Sequence, residues 1–474
     1  MPLWKTEALA RAMGATITGN PPAAVSGISI DSRTIGEGEV FYAIKGDRFD
    51  GHDYVEAALS RGAVAAVVSR EWAASAKPGR YLIVPDVLRG LEDAGRAARA
   101  RTPAKIVGIT GSVGKTSTKE MLASVLSREG ETHAAKASFN NHWGVPLTLA
   151  RMPAGSRFAV FEIGMNHAGE ITPLTAMVRP DIAIITTVEA VHIENFPSIE
   201  GIADAKGEIL TGVEPGGTAV LNRDNRFFDR LSARARSVGI EHIVSFGEHE
   251  EADVRLVRVV LKPECSCVQA RVFGVDLTYK VGAPGRHLVM NSLAVLSAAK
   301  LSGADLAVAA MALAEQRAVK GRGQRHVLTL TGGTFTLFDE SYNANPVSVR
   351  AALEVVGKAE MEPKGRRIAV LGDMLELGAQ GPADHAGLAS SIVANKIDLV
   401  FCCGPLMKNL WEALPAGRRG AYAASAAELE SVVVATVRPG DVVTIKGSLG
   451  SKMGPIVDVL MRRFPAVVSE TPVA

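Results

Sequence analysis

The chain has 474 residues, of which 47% are apolar and 22% are charged, and its 52 basic and 50 acidic residues leave a formal charge of +2. This length predicts two or three domains, and the composition predicts globular domains with sizeable cores. The balance of charge gives no electrostatic reason to expect a nucleic acid or a membrane surface as partner. No apolar run approaches the ~20 residues of a membrane span. The N-terminal 20 residues predict an amphipathic helix without the apolar core of a signal peptide, so we expect a cytoplasmic protein.

Four cysteines, Cys265, Cys267, Cys402 and Cys403, occur as two close pairs. Their C-x-C and C-C spacings do not form a zinc framework, and both pairs lie in apolar, strand-like stretches. We predict free thiols, buried or half-buried, in a reducing cytosol.

Residues 1–104 are predicted to form a small α/β domain. The runs GISI, VFYAIKG and AVAAVVS have the composition of strands, and DYVEAALSRG has the pattern of a helix. A basic helical stretch, LEDAGRAARARTPAK, follows and is predicted to lead to the next domain.

Residues 105–320 are predicted to form a P-loop-type central domain with a mostly parallel sheet. The strands KIVGIT, FAVFEIG, DIAIITTV and TAVLN are short and apolar on both faces, which is typical of central parallel strands, and helical segments separate them. Residues 252–281 instead have the pattern of antiparallel edge strands. A pair of helices is predicted to follow.

A glycine-rich loop between the strand KIVGIT and the next helix carries the strongest chemical signal. It has the spacing G-x-x-G-K-T, because Ile109 stands where the longer pattern G-x-x-x-x-G-K-[ST] has a glycine. Backbone N–H groups and a helix N-terminus at such a loop bind phosphate oxygens. Lys115 would contact the outer phosphates and Thr116 would bind Mg²⁺, whereas the alternative is a plain turn with an exposed lysine. The predicted phosphate-binding residues are Gly111, Ser112, Val113, Gly114, Lys115, Thr116 and Ser117.

Three polar residues follow the neighbouring strands, where the remaining chemistry of a nucleotide site should lie. Glu162 ends FAVFEIG, His192 follows DIAIITTV, and Lys206 lies one helix further on. Carboxylate and imidazole are plausible Mg²⁺ partners, although Mg²⁺ prefers oxygen. Taken singly, these residues could be a helix cap, a loop histidine and a solvated lysine.

Residues 321–474 are predicted to form a Rossmann-like, doubly wound C-terminal domain. The Gly- and Arg-rich stretch AVKGRGQRH precedes it, and the strands TFTLFDES, RRIAVLGDM, DLVFCCG and DVVTIKGS alternate with helices. The fold class is therefore α/β with three domains.

Several motifs in one order resemble the Mur ligases, ATP-dependent amide-forming enzymes of peptidoglycan precursor synthesis. GITGSVGKTS, FNNHWGVPLTL, FEIGMNHAGEI, EAVHIENF and IADAKGEI are similar to the central domain of that family. DSRTIGEGEVFYAIKGDRFDGHDYV is similar to its first domain. FDESYNANPVSVRAAL and AVLGDMLELG narrow the resemblance to members that add D-alanyl-D-alanine to a UDP-N-acetylmuramoyl tripeptide.

The resemblance implies a catalytic mechanism and its cofactors. ATP would phosphorylate a carboxylate, and the amine of the dipeptide would displace phosphate from the acyl phosphate. Thr116 and Glu162 would hold one Mg²⁺, and His192 and a carbamylated Lys206 would hold a second. Lys115, His192 and Lys206 are the catalytic residues that the resemblance implies.

The resemblance also implies residues that contact the nucleotide and the substrate. Asn291 would contact the adenine, and Arg322 would approach the nucleotide from the third domain together with Asn343. Asp339, Tyr342, Asn343 and Asn345 are expected to help close the site. The expected substrate-binding residues are Ser32, Arg33, Lys45, Asp50, Gly51, His52, Asn140, Asn141 and Asn345. The resemblance implies that the loop IKGSLGSKM recognises the carboxylate of D-alanyl-D-alanine. The family often has a basic residue near Leu449 there, whereas this chain has Lys446, Ser448 and Lys452.

Other functions agree less well with the sequence. The Mur ligase that adds the third stem-peptide residue shares the loop and the lysine but has an Asp-Asn-Pro-type signature, which is not found here. Folylpolyglutamate synthases share the core without the first domain. A P-loop ATPase or kinase gives no reason for Lys206, and a structural protein has no use for the glycine loop. The expected partners are the two small-molecule substrates, with no nucleic acid or membrane, and the expected state is a monomer.

Overall fold

A computed structural model describes residues 2–136 and 138–467. It confirms the α/β class, because mostly parallel sheets with helices on their faces occur in all three regions of the chain. Among the described residues, no helix combines the length and the apolar character that crossing a membrane requires.

The first region contains a five-stranded sheet in the order β2-β7-β6-β5-β4 and a small ribbon, β1-β3. Strand β2 is antiparallel to β7, and the other pairs of the larger sheet are parallel. Its strands are β1 (Trp4–Lys5), β2 (Thr16–Thr18), β3 (Ala24–Val25), β4 (Gly27–Ser29), β5 (Glu39–Tyr42), β6 (Ala65–Ser69) and β7 (Tyr81–Val84). Its helices are α1 (Thr6–Met13), α2 (Val55–Ser60), α3 (Arg70–Ala73) and α4 (Val87–Ala100).

The predicted N-terminal helix is much shorter than the 20-residue stretch suggested. It ends at Met13, and the next residue, Gly14, adopts φ 61, a left-handed conformation that glycine reaches without a steric penalty. The β-branched run after it pairs with β7 as strand β2. Helix α4 also begins earlier than the predicted basic helix.

The central region holds a nine-stranded sheet in the order β16-β15-β14-β13-β12-β11-β8-β10-β9. Its strands are β8 (Lys105–Thr110), β9 (Thr132–Ala134), β10 (Phe158–Glu162), β11 (Ile182–Ile185), β12 (Thr218–Asn222), β13 (His242–Gly247), β14 (Val254–Leu261), β15 (Ser266–Val272) and β16 (Val275–Val281). Its helices are α5 (Lys115–Ser127), α6 (Gly144–Ala150), α7 (Ile171–Val178), α8 (Ile199–Gly207), α9 (Phe228–Ser237), α10 (Arg286–Leu301) and α11 (Leu306–Glu315). The predicted antiparallel edge is confirmed, because β15 is antiparallel to both of its neighbours.

Both faces of the central sheet are covered by helices. Helices α5, α10 and α11 pack on one face and α6 to α9 on the other, so that alternate residues of each strand enter two separate cores. This packing explains why the central strands are apolar on both faces.

The third region holds a six-stranded sheet in the order β17-β18-β22-β19-β20-β21. Its strands are β17 (Gln324–Leu330), β18 (Gly333–Glu340), β19 (Arg367–Gly372), β20 (Leu399–Cys403), β21 (Arg419–Ala423) and β22 (Val442–Lys446). Its helices are α12 (Pro346–Lys358), α13 (Gly381–Ala394), α14 (Met407–Ala413), α15 (Ala426–Thr436) and α16 (Gly454–Arg463). The four predicted strands are confirmed, whereas β17 and β21 were not predicted.

The four cysteines are free thiols, as predicted. Cys402 and Cys403 are buried in β20, and burial raises the pKa of both thiols, that of Cys403 to about 12. Cys265 and Cys267 are half-buried at the hairpin formed by β14 and β15.

Candidate active site

A cleft of about 490 Å³ lies where the carboxyl ends of β8, β10 and β11 meet the third region. The sequence-predicted residues that line it are Ser112, Val113, Gly114, Lys115, Thr116, Ser117, Asn140, Glu162, His192, Asn291, Arg322, Tyr342, Asn343 and Asn345. Residues far apart in the chain therefore meet at one edge of the sheet, as a parallel α/β sheet requires.

Two glycines shape the phosphate loop. Gly111 adopts φ 148, and a Cβ atom there would lie 1.9 Å from Oγ1 of Thr186. Gly114 adopts φ 88, and a Cβ atom there would lie 2.7 Å from Oδ1 of Asn291. No side chain fits either position without moving its neighbours, so both glycines are required by the shape of the loop.

The loop is anchored to the segment that follows β11. The N–H of Ser112 donates to the carbonyl of Thr187 at 2.8 Å, and its hydroxyl donates to the carbonyl of Glu189 at 2.9 Å. Oγ1 of Thr186 donates to the carbonyl of Val113 at 2.6 Å. These bonds fix the loop at the start of α5, whose N-terminus favours an anion.

Lys115 lies across the phosphate loop. Its Nζ donates to the carbonyl of Gly111 at 2.7 Å, and burial lowers the pKa of the amine. The nearby carboxylate of Glu162 opposes this shift, and the charge of Arg322 adds to it. The cleft therefore concentrates positive charge at the place where the loop would hold phosphate oxygens.

Glu162 has one oxygen bonded and one oxygen without a partner. Asn140 Nδ2 donates to Glu162 Oε1 at 2.7 Å, whereas Oε2 is buried and accepts no hydrogen bond in the described part of the chain. Thr116, which is also buried, lies in the same cleft. A buried carboxylate oxygen and a threonine hydroxyl suit a hard cation such as Mg²⁺. Within residues 2–136 and 138–467, however, no cluster of three or more His, Cys, Asp or Glu side chains could hold a metal ion.

Lys206 is almost fully buried near the end of α8, with 2% of its surface exposed. In the part of the chain that the structure describes, no carboxylate forms an ion pair with its amine. Burial lowers the pKa of this amine well below its ordinary value, and the charge of Lys115 lowers it further. Both effects disfavour the charged form of the amine.

His192 contacts a carboxylate that the sequence did not predict. Its Nδ1 pairs with the carboxylate of Glu376, which lies in the third region after β19. The contact with His192 holds the pKa of Glu376 below its usual value. The adjacent turns also touch, because a Cβ atom on Gly378 would lie 3.0 Å from Cβ of Glu194. His192 thus lies both in the cleft and at the contact between the central and third regions.

Asn291 and Arg322, which were predicted to contact a nucleotide, both line the cleft. Asn291 is buried against Gly114, and its Nδ2 has no hydrogen-bond partner among the described residues. Such an orphaned donor indicates a ligand acceptor at this position. The guanidinium of Arg322 lies 4.4 Å from the centre of the Tyr342 ring, which holds it at the rim.

Three of the predicted third-region residues are used to hold the backbone. Asp339 does not line the cleft; its carboxylate accepts from the N–H of Gly321 at 3.0 Å and from the hydroxyl of Ser341 at 2.6 Å. Asn345 caps α12 by accepting from the N–H of Ser348 at 2.9 Å. The carbonyl of Asn343 accepts from the amine of Lys446 at 2.8 Å.

The predicted substrate residues of the first region lie outside the lining of this cleft, in two loops. Arg33 pairs with Asp31 at 2.7 Å, Ser32 is buried, and Lys45 forms a backbone bridge to Asp50. His52 has both ring nitrogens engaged: Nδ1 pairs with Asp50 at 2.6 Å and Nε2 accepts from the N–H of Ser69 at 3.0 Å. Any contribution of His52 to substrate binding therefore comes through the shape of the loop.

Two further features concern the predicted residues Gly51 and Asn141. A Cβ atom on Gly51 would lie 2.6 Å from the carbonyl oxygen of Ile44, so this glycine permits a close turn. Asn141 accepts from the N–H of Gly144 at 2.9 Å and so fixes the start of α6 beside Asn140.

Two residues that line the cleft were not predicted from the sequence. Glu189 lines it, and burial raises the pKa of its carboxyl. Glu189 could have been predicted from the sequence, since it follows the same strand as His192. His287 also lines the cleft, although the residue as a whole is exposed. Its place in the cleft depends on how the regions dock, which the sequence around it does not show.

Comparison with known proteins shows which family the chain resembles. Three family models match: "Mur ligase family, catalytic domain" over residues 24–99, "Mur ligase middle domain" over residues 109–299, and "Mur ligase, glutamate ligase domain" over residues 321–449. A relative from Rickettsia prowazekii, named UDP-N-acetylmuramoyl-tripeptide--D-alanyl-D-alanine ligase, is 30% identical over 456 residues, which are 96% of this chain and 99% of the relative.

Solved structures agree with these matches over the whole fold. A crystal structure of MurF from Acinetobacter baumannii superposes with a TM-score of 0.83 at 28% identity, covering 98% of this chain and 100% of that one. The structure of MurF ligase from Thermotoga maritima in complex with ADP superposes with a TM-score of 0.76 at 25% identity, covering 92% and 98% of the two chains.

Proposed function

The chain belongs to the Mur ligase family, and we propose that it joins D-alanyl-D-alanine to UDP-N-acetylmuramoyl-tripeptide at the expense of ATP. The product is the UDP-N-acetylmuramoyl-pentapeptide precursor of peptidoglycan. The observation that carries this proposal is the likeness, over almost the whole chain, to relatives named for that reaction. No observation favours the ligase that adds the third stem-peptide residue.

The reaction proceeds through an acyl phosphate. The terminal carboxylate of the tripeptide attacks the γ-phosphorus of ATP, and ADP leaves. The neutral amine of the dipeptide then attacks the acyl carbon, an amide bond forms, and inorganic phosphate leaves while the nitrogen loses a proton. Lys115 and the N-terminus of α5 hold the phosphate oxygens and stabilise the charge that develops on them. The enzyme is therefore an ADP-forming acid–D-amino-acid ligase.

Two magnesium ions are part of the proposal, bound by groups around Lys115. Thr116 and Glu162 would hold one ion, for which the unpartnered Oε2 of Glu162 is the observation that fits. His192 and Lys206 would hold the other. Bound Mg²⁺ would neutralise phosphate charge and act as a Lewis acid during transfer.

Lys206 fits this role only after a chemical change. A neutral amine that has no ion-pair partner in the described chain can add to CO₂ and lose a proton, which gives a carbamate anion. That product places an oxygen ligand where an ammonium group would repel a cation. Carbamylation of Lys206 is therefore part of the proposal.

The remaining assignments concern the domains and the surroundings of the enzyme. Residues 1–104 hold the UDP end of the first substrate, residues 105–320 hold ATP, and residues 321–474 close the site. Both substrates are small molecules. Because ATP and nucleotide-linked precursors are cytoplasmic, the enzyme acts in the cytoplasm, as a monomer and without a nucleic acid or a membrane as partner.

The decisive experiment measures phosphate release from ATP with the UDP-tripeptide and D-alanyl-D-alanine, omitting each in turn. Release that requires all three, with a pentapeptide product by mass, is the expected result. Release driven by one amino acid and a shorter UDP-peptide would identify the neighbouring ligase. Release that needs neither substrate would identify a plain ATPase.

The carbamate has its own test. Lys206→Ala should abolish turnover, and an added short carboxylate should restore part of it. In ¹³C-bicarbonate, the wild-type protein should show a carbamate carbon in its NMR spectrum that Lys206→Ala lacks. A fully active Lys206→Ala variant would remove this part of the proposal.

A further inference from the structure

The contact between His192 and Glu376 has no role in the reaction proposed above. Nδ1 of His192 contacts the carboxylate of Glu376, which follows β19 of the third region. Within residues 2–136 and 138–467, Nδ1 forms no hydrogen bond with any other group. Glu376 is not among the residues that line the cleft, whereas His192 is one of them. The histidine therefore connects a carboxylate outside the cleft to the site.

Both residues of this contact have an uncommon backbone conformation. His192 adopts φ 60 and Glu376 adopts φ 64, in the left-handed region that residues other than glycine rarely occupy. Such conformations persist where the surrounding structure fixes them, and they are concentrated at active sites, ligand clamps and switch regions. That both partners have this conformation indicates a functional contact.

The turn that carries Glu376 is fixed to the third region. The N–H of Met374 donates to Nε2 of His385 at 2.9 Å, and the N–H of Leu375 donates to the hydroxyl of Ser448 at 3.0 Å. Because Glu376 follows these two residues directly, its carboxylate moves with the third region.

The turn that carries His192 is joined to the phosphate loop. The hydroxyl of Ser112 donates to the carbonyl of Glu189 at 2.9 Å, and the N–H of Val191 donates to the same carbonyl at 2.7 Å. The carbonyl of His192 accepts from the N–H of Asn195 at 3.0 Å. Two turns, each fixed to its own region, therefore meet at this contact.

Stability alone does not account for the contact. The side chain of Glu376 is 46% exposed, and an ion pair at such a position contributes little to folding. The ring of His192 is more buried, with 22% of the side chain exposed. Its Nε2 forms no hydrogen bond with any residue that the structure describes, so this nitrogen is available to a ligand.

A carboxylate beside a histidine ring has a defined effect when the histidine binds a metal ion. The ring nitrogen that does not bind the ion donates its N–H to the carboxylate, and this bond fixes the tautomer and the orientation of the ring. His192 has a carboxylate at Nδ1 and no protein partner at Nε2. Because the ring and the carboxylate belong to different regions, this arrangement requires the third region to be docked.

We propose that Glu376 is a positioning residue for His192 and that it couples docking of the third region to cation binding in the cleft. The carboxylate of Glu376 keeps the proton of the neutral ring on Nδ1, so that Nε2 keeps its lone pair for the cation. When the third region moves away, the ring loses this partner and binds the cation more weakly. The inference rests on the proposed function, in which His192 is a Mg²⁺ ligand.

The test measures Mn²⁺, a paramagnetic substitute for Mg²⁺, by electron paramagnetic resonance. The full chain is studied with a non-hydrolysable ATP analogue and the UDP-tripeptide, and His192→Ala identifies the ion that His192 binds. Glu376→Ala should weaken the binding of that ion by about 10- to 100-fold and leave the other ion and the nucleotide unchanged. Glu264→Gln, which breaks the exposed pair with Arg325 at the same contact, is the matched control and should bind both ions as wild type does.

A second measurement distinguishes positioning from a general loss of docking. With Mg²⁺ in place of Mn²⁺, ¹⁵N-histidine NMR should show the proton of His192 on Nδ1 in wild type and in Glu264→Gln. In Glu376→Ala, the ring should exchange between its two tautomers. The signals of His192 are assigned by their absence from the spectrum of His192→Ala.

Four results would overturn the inference. They are a wild type that binds a single ion, unchanged Mn²⁺ binding in Glu376→Ala, an equal loss of Mn²⁺ in Glu264→Gln, and an unchanged His192 tautomer in Glu376→Ala. Pentapeptide formation by wild type is measured in parallel. Its absence would show that the proposed function is wrong, and this result does not depend on the Mn²⁺ and NMR measurements.

Discussion

The central region contacts its two neighbours in opposite ways. Toward the first region the contact is an apolar core: Leu147 and Ala150 of α6 share one buried cluster with Leu91 of α4. The two helices approach so closely that a Cβ atom on Gly95 would lie 3.2 Å from the carbonyl oxygen of Pro146. Toward the third region, the contact is made by charged groups at the rim of the cleft.

The hydrogen bonds follow the same division. Trp4 Nε1 donates to the carbonyl of Ala150 at 2.9 Å in a buried setting. By contrast, Arg325 pairs with Glu264 at 2.7 Å, and the Glu264 side chain is 70% exposed. Among the described residues, no cluster of buried apolar side chains joins the central sheet to the third sheet.

This difference indicates which contact can open. Separating the first region would expose a hydrophobic core, whereas separating the third region breaks exposed ion pairs that contribute little in water. The first and central regions should therefore move as one body, and the third should open and close on it around the ligands.

The largest expected effect comes from removing Lys115, whose amine is proposed to bind phosphate in the body formed by the first and central regions. Lys115→Ala should lower kcat by about 10³-fold, because a preorganised charge beside the transferred phosphate is lost. Phosphate release measures this effect. Melting temperatures should stay near those of the wild type, and Lys300→Ala, at the exposed end of α10, is the control. Retained turnover would contradict the assignment of the loop.

A cavity in the apolar contact should destabilise two regions together. Leu147→Ala should lower the free energy of unfolding by about 2–5 kcal/mol, because a fully buried side chain is truncated. Guanidinium unfolding with limited proteolysis should show the first and central regions unfolding in one transition. Leu353→Ala, in the core of the third region, should weaken the third region alone. If the first region unfolded in a separate transition, the first and central regions would not form one rigid body.

Breaking the polar contact should have a small effect on stability. Glu376→Gln should change the free energy of unfolding by less than about 1 kcal/mol, because the carboxylate is half-exposed. It should shift the ligand-bound protein toward open shapes, which small-angle X-ray scattering measures as a larger radius of gyration. Glu264→Gln breaks the ion pair with Arg325 and tests whether the loss of any exposed ion pair at this contact increases the radius of gyration. If Glu376→Gln lowered the free energy of unfolding by several kcal/mol, the ion pair would contribute much more to stability than exposed pairs do.

The smallest effect concerns pH and the third region. His385 accepts from the N–H of Met374 at 2.9 Å and donates to the carbonyl of Gly381 at 2.6 Å, and burial lowers its pKa. The folded state therefore binds fewer protons than the unfolded state, so stability should fall as the pH drops below the unfolded value of about 6.5.

Melting curves at neutral and acidic pH measure this dependence. In His385→Gln, the transition of the third region should depend less on pH than in wild type. His167→Gln, at an exposed position of the central region, is the control and should behave as wild type. An unchanged pH dependence in His385→Gln would exclude His385 as its cause.

The sequence predicted those elements that a local pattern determines. Strand β8 and helix α5 lie on the two sides of the glycine loop. Their apolar residues recur with different periods, so the sequence predicted both elements. Strand β17 pairs with β18 across the turn formed by Thr331 and Gly332, and this hairpin, which lies beside the Arg-rich joint, was not predicted. Strand β21 is short and lies at the sheet edge, so it has few apolar residues.

The site was predicted to the extent that strand order determines it. Glu162 and His192 could be found because parallel strands end at one edge of the sheet. The pair formed by His192 and Glu376 depends on how two regions dock, which no local pattern encodes. The same holds for Asp339 and His52, whose side chains are engaged by backbone groups that only the folded chain brings close.

The two kinds of cysteine make the chain suitable for selective labelling. At neutral pH a maleimide reacts with thiolate, so Cys402 and Cys403, with raised pKa values and buried sulfur atoms, should stay unmodified while the native fold persists. Cys265 and Cys267 lie on the hairpin edge of the central region and are partly accessible. A variant could keep one of these two cysteines and carry a second dye site on an exposed helix of the third region. Fluorescence energy transfer between the two dyes would then report the distance across the polar contact.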